Sequence, residues 1–182
     1  VSSNGVLTLT ADLSSGRVLA GISLVYAKVD LRAHTPEGTG ARLPVNLAVP
    51  IDHSGSMSNG KREQAKRAAN SMVDALRVGD RLAIIAFDDN ITTFPSTAVD
   101  EGSKLRMHQF IDHIYEQGST NISGALEQAY AELRPWAREY KVSRAVLLSD
   151  GQPTAGITDP QQIAQLAQRS REQRISSSAL GI

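Results

Sequence analysis

The sequence predicts an α/β fold: a doubly wound, mostly parallel central sheet flanked by helices, preceded by a short antiparallel β segment. Three observations carry that expectation. Residues 43–182 contain four continuous apolar runs, the pattern of strands buried on both faces. Helical patterns with a single apolar face lie between the runs. Polar clusters follow the runs or sit on neighbouring loops, and open parallel sheets bind ligands beyond the carboxyl ends of their strands.

Residues 1–42 read as the β segment. Val6 to Leu13 alternates apolar and polar residues with the period of a half-buried strand, and Ser14-Ser15-Gly16 offers a turn. Ile22 to Leu31 alternates again, and His34 to Arg42, rich in Thr, Pro and Gly, reads as a loop. No helical pattern separates these strands, so antiparallel pairing is expected. The second domain is expected to span 43–182.

That region opens with Leu43 to Ile51, which is apolar and ends at Asp52. Ala65, Ala68, Ala69, Met72, Val73 and Leu76 then fall at i, i+3, i+4, i+7, i+8 and i+11, one face of a helix. Gly79 stands where a left-handed helix cap is expected. Arg81 to Phe87 is the second run, and Asp88-Asp89 reads as a hairpin-like turn into Ile91. Leu105, Phe110, Ile111 and Ile114 suggest a helix opened by Gly102-Ser103. Ile122, Ala125, Leu126, Ala129, Tyr130 and Leu133 repeat the spacing of the first helix. Arg144 to Leu148 is the third run, before Ser149-Asp150. Asp159-Pro160 can cap and open a helix striped by Ile163, Leu166 and Ala167. Ile175 to Ile182 is the fourth run, and with no closing helix after it the domain is expected to be incomplete at its C-terminus. Right-handed crossovers between such strands put helices on both faces.

Composition excludes several classes. Of 182 residues, 41% are apolar and 21% charged, which argues for a packed core over disorder. No apolar run approaches the ~20 residues of a membrane-spanning helix. The absence of cysteine excludes disulfides, thiolate zinc sites, iron–sulfur clusters and cysteine nucleophiles. Nineteen basic and nineteen acidic side chains cancel, without the basic excess of a nucleic-acid binder. Aromatics, at 4%, are too few for a base- or sugar-stacking platform. There is no Gly-x-Ser-x-Gly and no phosphate loop, and an enzyme is not expected.

Three polar clusters stand out: Asp52-His53-Ser54-Gly55-Ser56-Met57, Gly118-Ser119-Thr120-Asn121, and Ser149-Asp150-Gly151-Gln152. They supply two carboxylates and several hydroxyls. Hard oxygen donors of this kind suit Mg²⁺, Mn²⁺ or Ca²⁺. The same residue types also favour turns and helix caps without any metal.

The stretches NLAVPIDHSGSM, GSTNISGAL and AVLLSDGQPT, in that order and at fitting separations, resemble the von Willebrand factor type A domain over about residues 43–182. The resemblance implies a metal-ion-dependent adhesion site with Asp52, Ser54, Ser56, Thr120 and Asp150 as its metal residues. It implies Mg²⁺, with Mn²⁺ or Ca²⁺ as alternatives, and a protein partner whose Asp or Glu side chain completes the metal shell. Residues 1–42 are similar to the β segment that precedes this domain in many bacterial members. The expected function is a metal-dependent protein-binding module. The alternative is a structural or assembly domain of a larger protein with a silent metal site. An extracytoplasmic or cell-envelope location is favoured over a cytoplasmic one.

Pro50 departs from the family, which has an aliphatic residue there. Proline removes a ladder N–H from a central strand, so a local bulge shifting Asp52 is one expected consequence. His53 beside Ser54 lacks an evident acid partner and is read as structural. His34, His108 and His113 show no metal-ligand spacing suited to a helix. Arg169, Arg171 and Arg174 read as a solvated basic face. Asp52 and Asp150, sharing a small cleft without metal, are expected to raise each other's pKa.

Overall fold

The computed structural model describes residues 2–3, 7–13, 27–33, 42–58, 60–115 and 118–182. The chain divides into two compact units, Val1–Arg42 and Leu43–Ile182. In the first, β1 (Ser2–Ser3), β2 (Leu7–Leu13) and β3 (Ala27–Ala33) form an antiparallel sheet in that order. Leu7 pairs with Ala33 and Leu13 with Ala27, so the alternating sequences meet in one continuous register. Val6, the 14–16 turn, residues 22–26 and the loop from His34 to residue 41 lie outside the described residues.

In the second unit, β4 (Val45–Asp52) is the central strand. β5 (Arg81–Phe87) and β6 (Ile91–Ala98) extend the sheet on one side, β7 (Val142–Ser149) and β8 (Ile175–Gly181) on the other. The order is β6-β5-β4-β7-β8, parallel throughout except for β6. Among the described residues four helices flank it: α1 (Lys61–Ala75), α2 (Glu101–Asp112), α3 (Ile122–Leu133) and α4 (Pro160–Glu172).

Alternation along the buried strands divides the core in two. Val49, Ile51, Leu82, Ile84 and Ala86 pack with α1 and α2. Ala48, Ala83, Ile85, Phe87 and Ala145 pack with α3. Apolar residues therefore alternate between faces that are both covered, which explains why these strands read as unbroken apolar runs. Fully burying a side chain such as Phe87 or Ile51 contributes about 1.5–3 kcal/mol. Alanines on both sides of the second contact, Ala83 with Ala125 and Ala129, leave room for a helix backbone to approach the sheet. Asn46, fully buried on β4, donates to the Leu133 carbonyl (3.0 Å) and to Ser143 Oγ (3.1 Å), fixing the end of α3 to the sheet.

Several local expectations need correction. Pro50 is buried in β4, but no bulge surrounds it. The ladder to β5 runs without a break from Asn46↔Arg81 to Asp52↔Phe87. The ladder to β7 keeps one offset from Val45↔Val142 to Ile51↔Leu148, with Val49 and Pro50 unpaired. The missing N–H thus costs a ladder bond and leaves Asp52 in register.

The bulge lies elsewhere, between Leu82 and Ile84 on β5, where Pro95 and Ser96 of β6 oppose Ala83 alone. Ser96 N–H, freed from the ladder, donates to Glu132 Oε2 (2.7 Å). Arg81 bonds the Ser96 carbonyl and hydroxyl and lays its guanidinium over Trp136 (3.7 Å to the ring centroid). The 88–90 segment does turn a hairpin, with Asp88 Oδ1 accepting the Asn90 N–H.

Gly79 does not cap α1, whose cap residue is Leu76. It takes φ +98° in the turn closed by Asp80 N–H on the Arg77 carbonyl (3.0 Å). The cap of α2 is Asp100, in a reciprocal box with Ser103, rather than Gly102-Ser103. Asp159 caps α4 as expected, accepting the Gln161 N–H at 2.9 Å. His108 bridges Asn70 and Asp74 of α1 through its two ring nitrogens, a structural role. Arg169, Arg171 and Arg174 are exposed. Among the described residues no helix is long and apolar enough to cross a membrane.

Candidate metal site at the carboxyl edge of the sheet

Asp52 is the last residue of β4 and is fully buried. Ser54 N–H folds back onto its Oδ1 (2.9 Å), and a 3₁₀ turn, Gly55–Met57, follows. Met57, also fully buried, anchors that turn in the core beneath α1. The turn brings Ser54 Oγ and Ser56 Oγ to 3.1 Å of each other.

The second loop leads into α3. Asn121 caps that helix, its Oδ1 accepting the Gly124 N–H at 3.0 Å. Thr120, almost fully buried, is held from both sides of its peptide. Its N–H donates to Thr154 Oγ1 (2.9 Å), and its carbonyl accepts the N–H groups of Thr154 and Ala155 (3.0 and 3.2 Å). Gly55 N–H donates to the Gly118 carbonyl (3.2 Å), joining the first loop to the second.

The third loop leaves β7. Ser149 Oγ donates to Asp52 Oδ2 (2.5 Å), tying the third loop to the first. Asp150 Oδ1 accepts Ser56 Oγ–H (2.8 Å). Its Oδ2 accepts the Lys61 ammonium (2.5 Å). Burial pushes the Asp150 carboxyl up, but the bonds from Lys61 and Ser56, together with the Lys61 charge, outweigh it. The carboxyl is held below the usual carboxylate range. The expectation that two carboxylates would raise each other's pKa is corrected for Asp150: a cation that sequence reasoning overlooked sits against it.

All five sequence-predicted residues are therefore brought together. Ser54, Ser56 and Thr120, with Gly118, Gly151 and Thr154, line one cleft of about 420 Å³. Asp52 and Asp150 join it through their bonds to Ser54 and Ser56. A Cβ at Gly151 would stand 3.3 Å from Ser56 Oγ, a tight contact that would press on that hydroxyl. His53 turns away into a separate cleft with Ala86, Thr92 and Phe110, and among the described residues its buried Nδ1 has no hydrogen-bond partner. Asp88 Oδ2 lies 3.8 Å from that nitrogen.

Sequence reasoning missed three residues here. Ser149 lies in the third cluster and Thr154 closes the stretch AVLLSDGQPT, but the sequence assigns neither a role. Lys61 did carry a signal. It is the first residue of α1, where the helix dipole disfavours a cation, so a compensating acid was to be expected.

The family model for the von Willebrand factor type A domain matches residues 46–182. An uncharacterized protein of Synechocystis is 34% identical over 119 residues, 65% of this chain and 28% of that one. Inter-alpha-trypsin inhibitor heavy chain H2 of Mus musculus is 31% identical over 148 residues, 77% of this chain and 16% of that one. Among solved structures, the pilus adhesin SpaC from Lactobacillus rhamnosus GG superposes with a TM-score of 0.66 at 15% identity, over 86% of this chain and 26% of that one. The chain thus spans between about a sixth and just over a quarter of the length of these relatives.

Proposed function

The chain belongs to the von Willebrand factor type A domain family, and we propose that it acts there as a divalent-cation-dependent protein-binding module. The observation that carries the proposal is the convergence of Asp52, Ser54, Ser56, Thr120 and Asp150 from three loops onto one strand edge. The donor set fits a hard cation: hydroxyl and carboxylate oxygens, with no imidazole among the described residues that line the cleft. A cation already lies against Asp150, the Lys61 ammonium, which marks the place as one that attracts positive charge.

Ser54, Ser56 and Thr120 would hold the ion through their hydroxyls, and Asp52 and Asp150 through bound waters. Mg²⁺ is the ion proposed, with Mn²⁺ and Ca²⁺ as substitutes. When bound it supplies a positive centre that attracts an anionic oxygen. The protein's own part is to hold the hydroxyls ready. Asp52 orients Ser54 through its backbone, Ser149 orients Asp52, and Thr154 fixes the Thr120 peptide. Preorganisation of this kind lowers the cost of binding.

The partner proposed is a protein presenting an Asp or Glu side chain. We propose binding rather than catalysis, because the described residues lining the cleft offer hydroxyl, amide and backbone groups, and the two aspartates beside it are assigned to the ion. An extracytoplasmic or cell-envelope setting goes with this reading.

The test is thermal melting of wild type and Asp150→Asn, with millimolar Mg²⁺ and with chelator. Wild type should gain stability from Mg²⁺, by about 2.7 kcal/mol when the ion is at a hundred times its Kd. Asp150→Asn should gain none. An equal gain in both proteins refutes the site. No gain in wild type leaves the structural or assembly role as the better account.

A further inference from the structure

We infer that Lys61 is a tethered cation that competes with the divalent ion for Asp150 and so weakens the site's metal affinity. The inference rests on the metal-binding reading above and concerns its regulation.

Lys61 opens α1 just after Gly60, whose φ of +88° turns the chain into the helix. Its ammonium crosses to Asp150, 89 residues along the chain, and closes on Oδ2. The side chains differ in what they can do. Asp150 is 4% exposed and fixed by Ser56, whereas Lys61 is 44% exposed and ends a flexible four-carbon stem. Lys61 can leave for water; Asp150 cannot follow it.

The two carboxylates give the cleft two negative charges, and the ammonium balances one of them. An arriving divalent ion meets a site already half neutralised. It must displace the ammonium from Oδ2 or share the cleft with a like charge. A tether keeps the competitor at an effective concentration in the millimolar range, independent of solution conditions. Once displaced, the ammonium remains beside the loaded site as a second positive charge. The same residue that weakens metal binding therefore strengthens the attraction for an acidic ligand once the ion is bound.

The test uses the 182-residue chain, freed of metal by chelation. Mn²⁺ binding is followed by loss of the free-ion electron paramagnetic resonance signal, in wild type, Lys61→Met and Lys61→Gln. Both variants should bind Mn²⁺ roughly fivefold tighter, the scale of a partly exposed ion pair. A second arm needs no metal. A double-mutant cycle of Lys61→Met and Asp150→Asn, read by melting in chelator, should show positive coupling. A silent wild type with variants that bind also supports the inference. Equal or weaker Mn²⁺ binding in both variants overturns it and leaves the metal site standing. Absence of Mn²⁺ binding in all three proteins overturns the metal reading and this inference with it. Absence of coupling overturns the ion pair on which the inference stands.

Discussion

Gly55 and Gly118 meet through one backbone hydrogen bond, from the Gly55 N–H to the Gly118 carbonyl at 3.2 Å. The two polar loops that flank the cleft are therefore a single backbone unit. Gly118 also takes φ +62°, and a Cβ there would stand 2.4 Å from Asp89 Oδ2.

Gly118→Ala should consequently distort the second loop. Left-handed strain and the clash together predict a loss of about 1–3 kcal/mol. The Mg²⁺-induced rise in melting temperature should shrink as well, because Thr120 follows two residues later. Melting curves in chelator and in Mg²⁺ separate the effects. A variant as stable as wild type and equally responsive to Mg²⁺ would show that this loop tolerates side chains.

Pro50→Val should stabilise the domain. The strand is in register on both sides, so a restored N–H meets a ladder already aligned to receive it. The gain expected from one regained backbone bond is about 1 kcal/mol. Denaturant unfolding measures it directly. A less stable variant would mean that β7 is spaced to accommodate the ring.

Tyr130, 3% exposed on α3, bonds Ser177 Oγ of β8 at 2.8 Å. Burial pushes its phenol up, against smaller opposing effects of the bonds to Ser177 and Ser170. A raised folded-state pKa means its contribution is fully present below the ordinary tyrosine value near 10 and is lost as pH climbs through the folded value. Tyr130→Phe should lose about 1 kcal/mol at neutral pH. The gap between variant and wild type should narrow in alkali. Melting temperatures from pH 7 to the alkaline limit test this, and a constant gap would contradict it.

Asp150→Asn in chelator should be slightly less stable than wild type, not more. Without Lys61, removing one of two neighbouring carboxylates would relieve repulsion. With Lys61 bound to Asp150, the change removes an ion pair instead. The partner is 44% exposed, so the loss should stay under about 1 kcal/mol. A metal-free variant that melts above wild type would mean that repulsion from Asp52 prevails.

The buried strands were legible because burial on two faces leaves an unbroken apolar signal, as in Arg81–Phe87. The three loops were legible because each carries its polar residues beside a strand end or a helix start. Beyond its turn, β6 carries no strand signal in the sequence. It is an edge strand, half exposed, with Thr92, Thr93 and Pro95 interrupting any apolar period. At Lys61 the sequence shows a cation at a helix start but not which acid answers it. Its partner is brought close only by the sheet order that sets β4 beside β7. The effect of Pro50 could be framed from sequence but not decided, because the answer depends on the ladders to both neighbours.

The bulge at Pro95 and Ser96 bears on how the domain behaves in crowds. A sheet rim with regular spacing is a template onto which an identical chain can add a strand, the first step towards fibrous aggregation. Here one stretch of that rim has a ring in place of a donor at Pro95, and its next donor is turned inward to Glu132. Ser96's carbonyl is taken by Arg81. A second copy arriving along β6 finds the sequence of free donors and acceptors broken after a few residues, so many copies can be held close together without fusing at that rim.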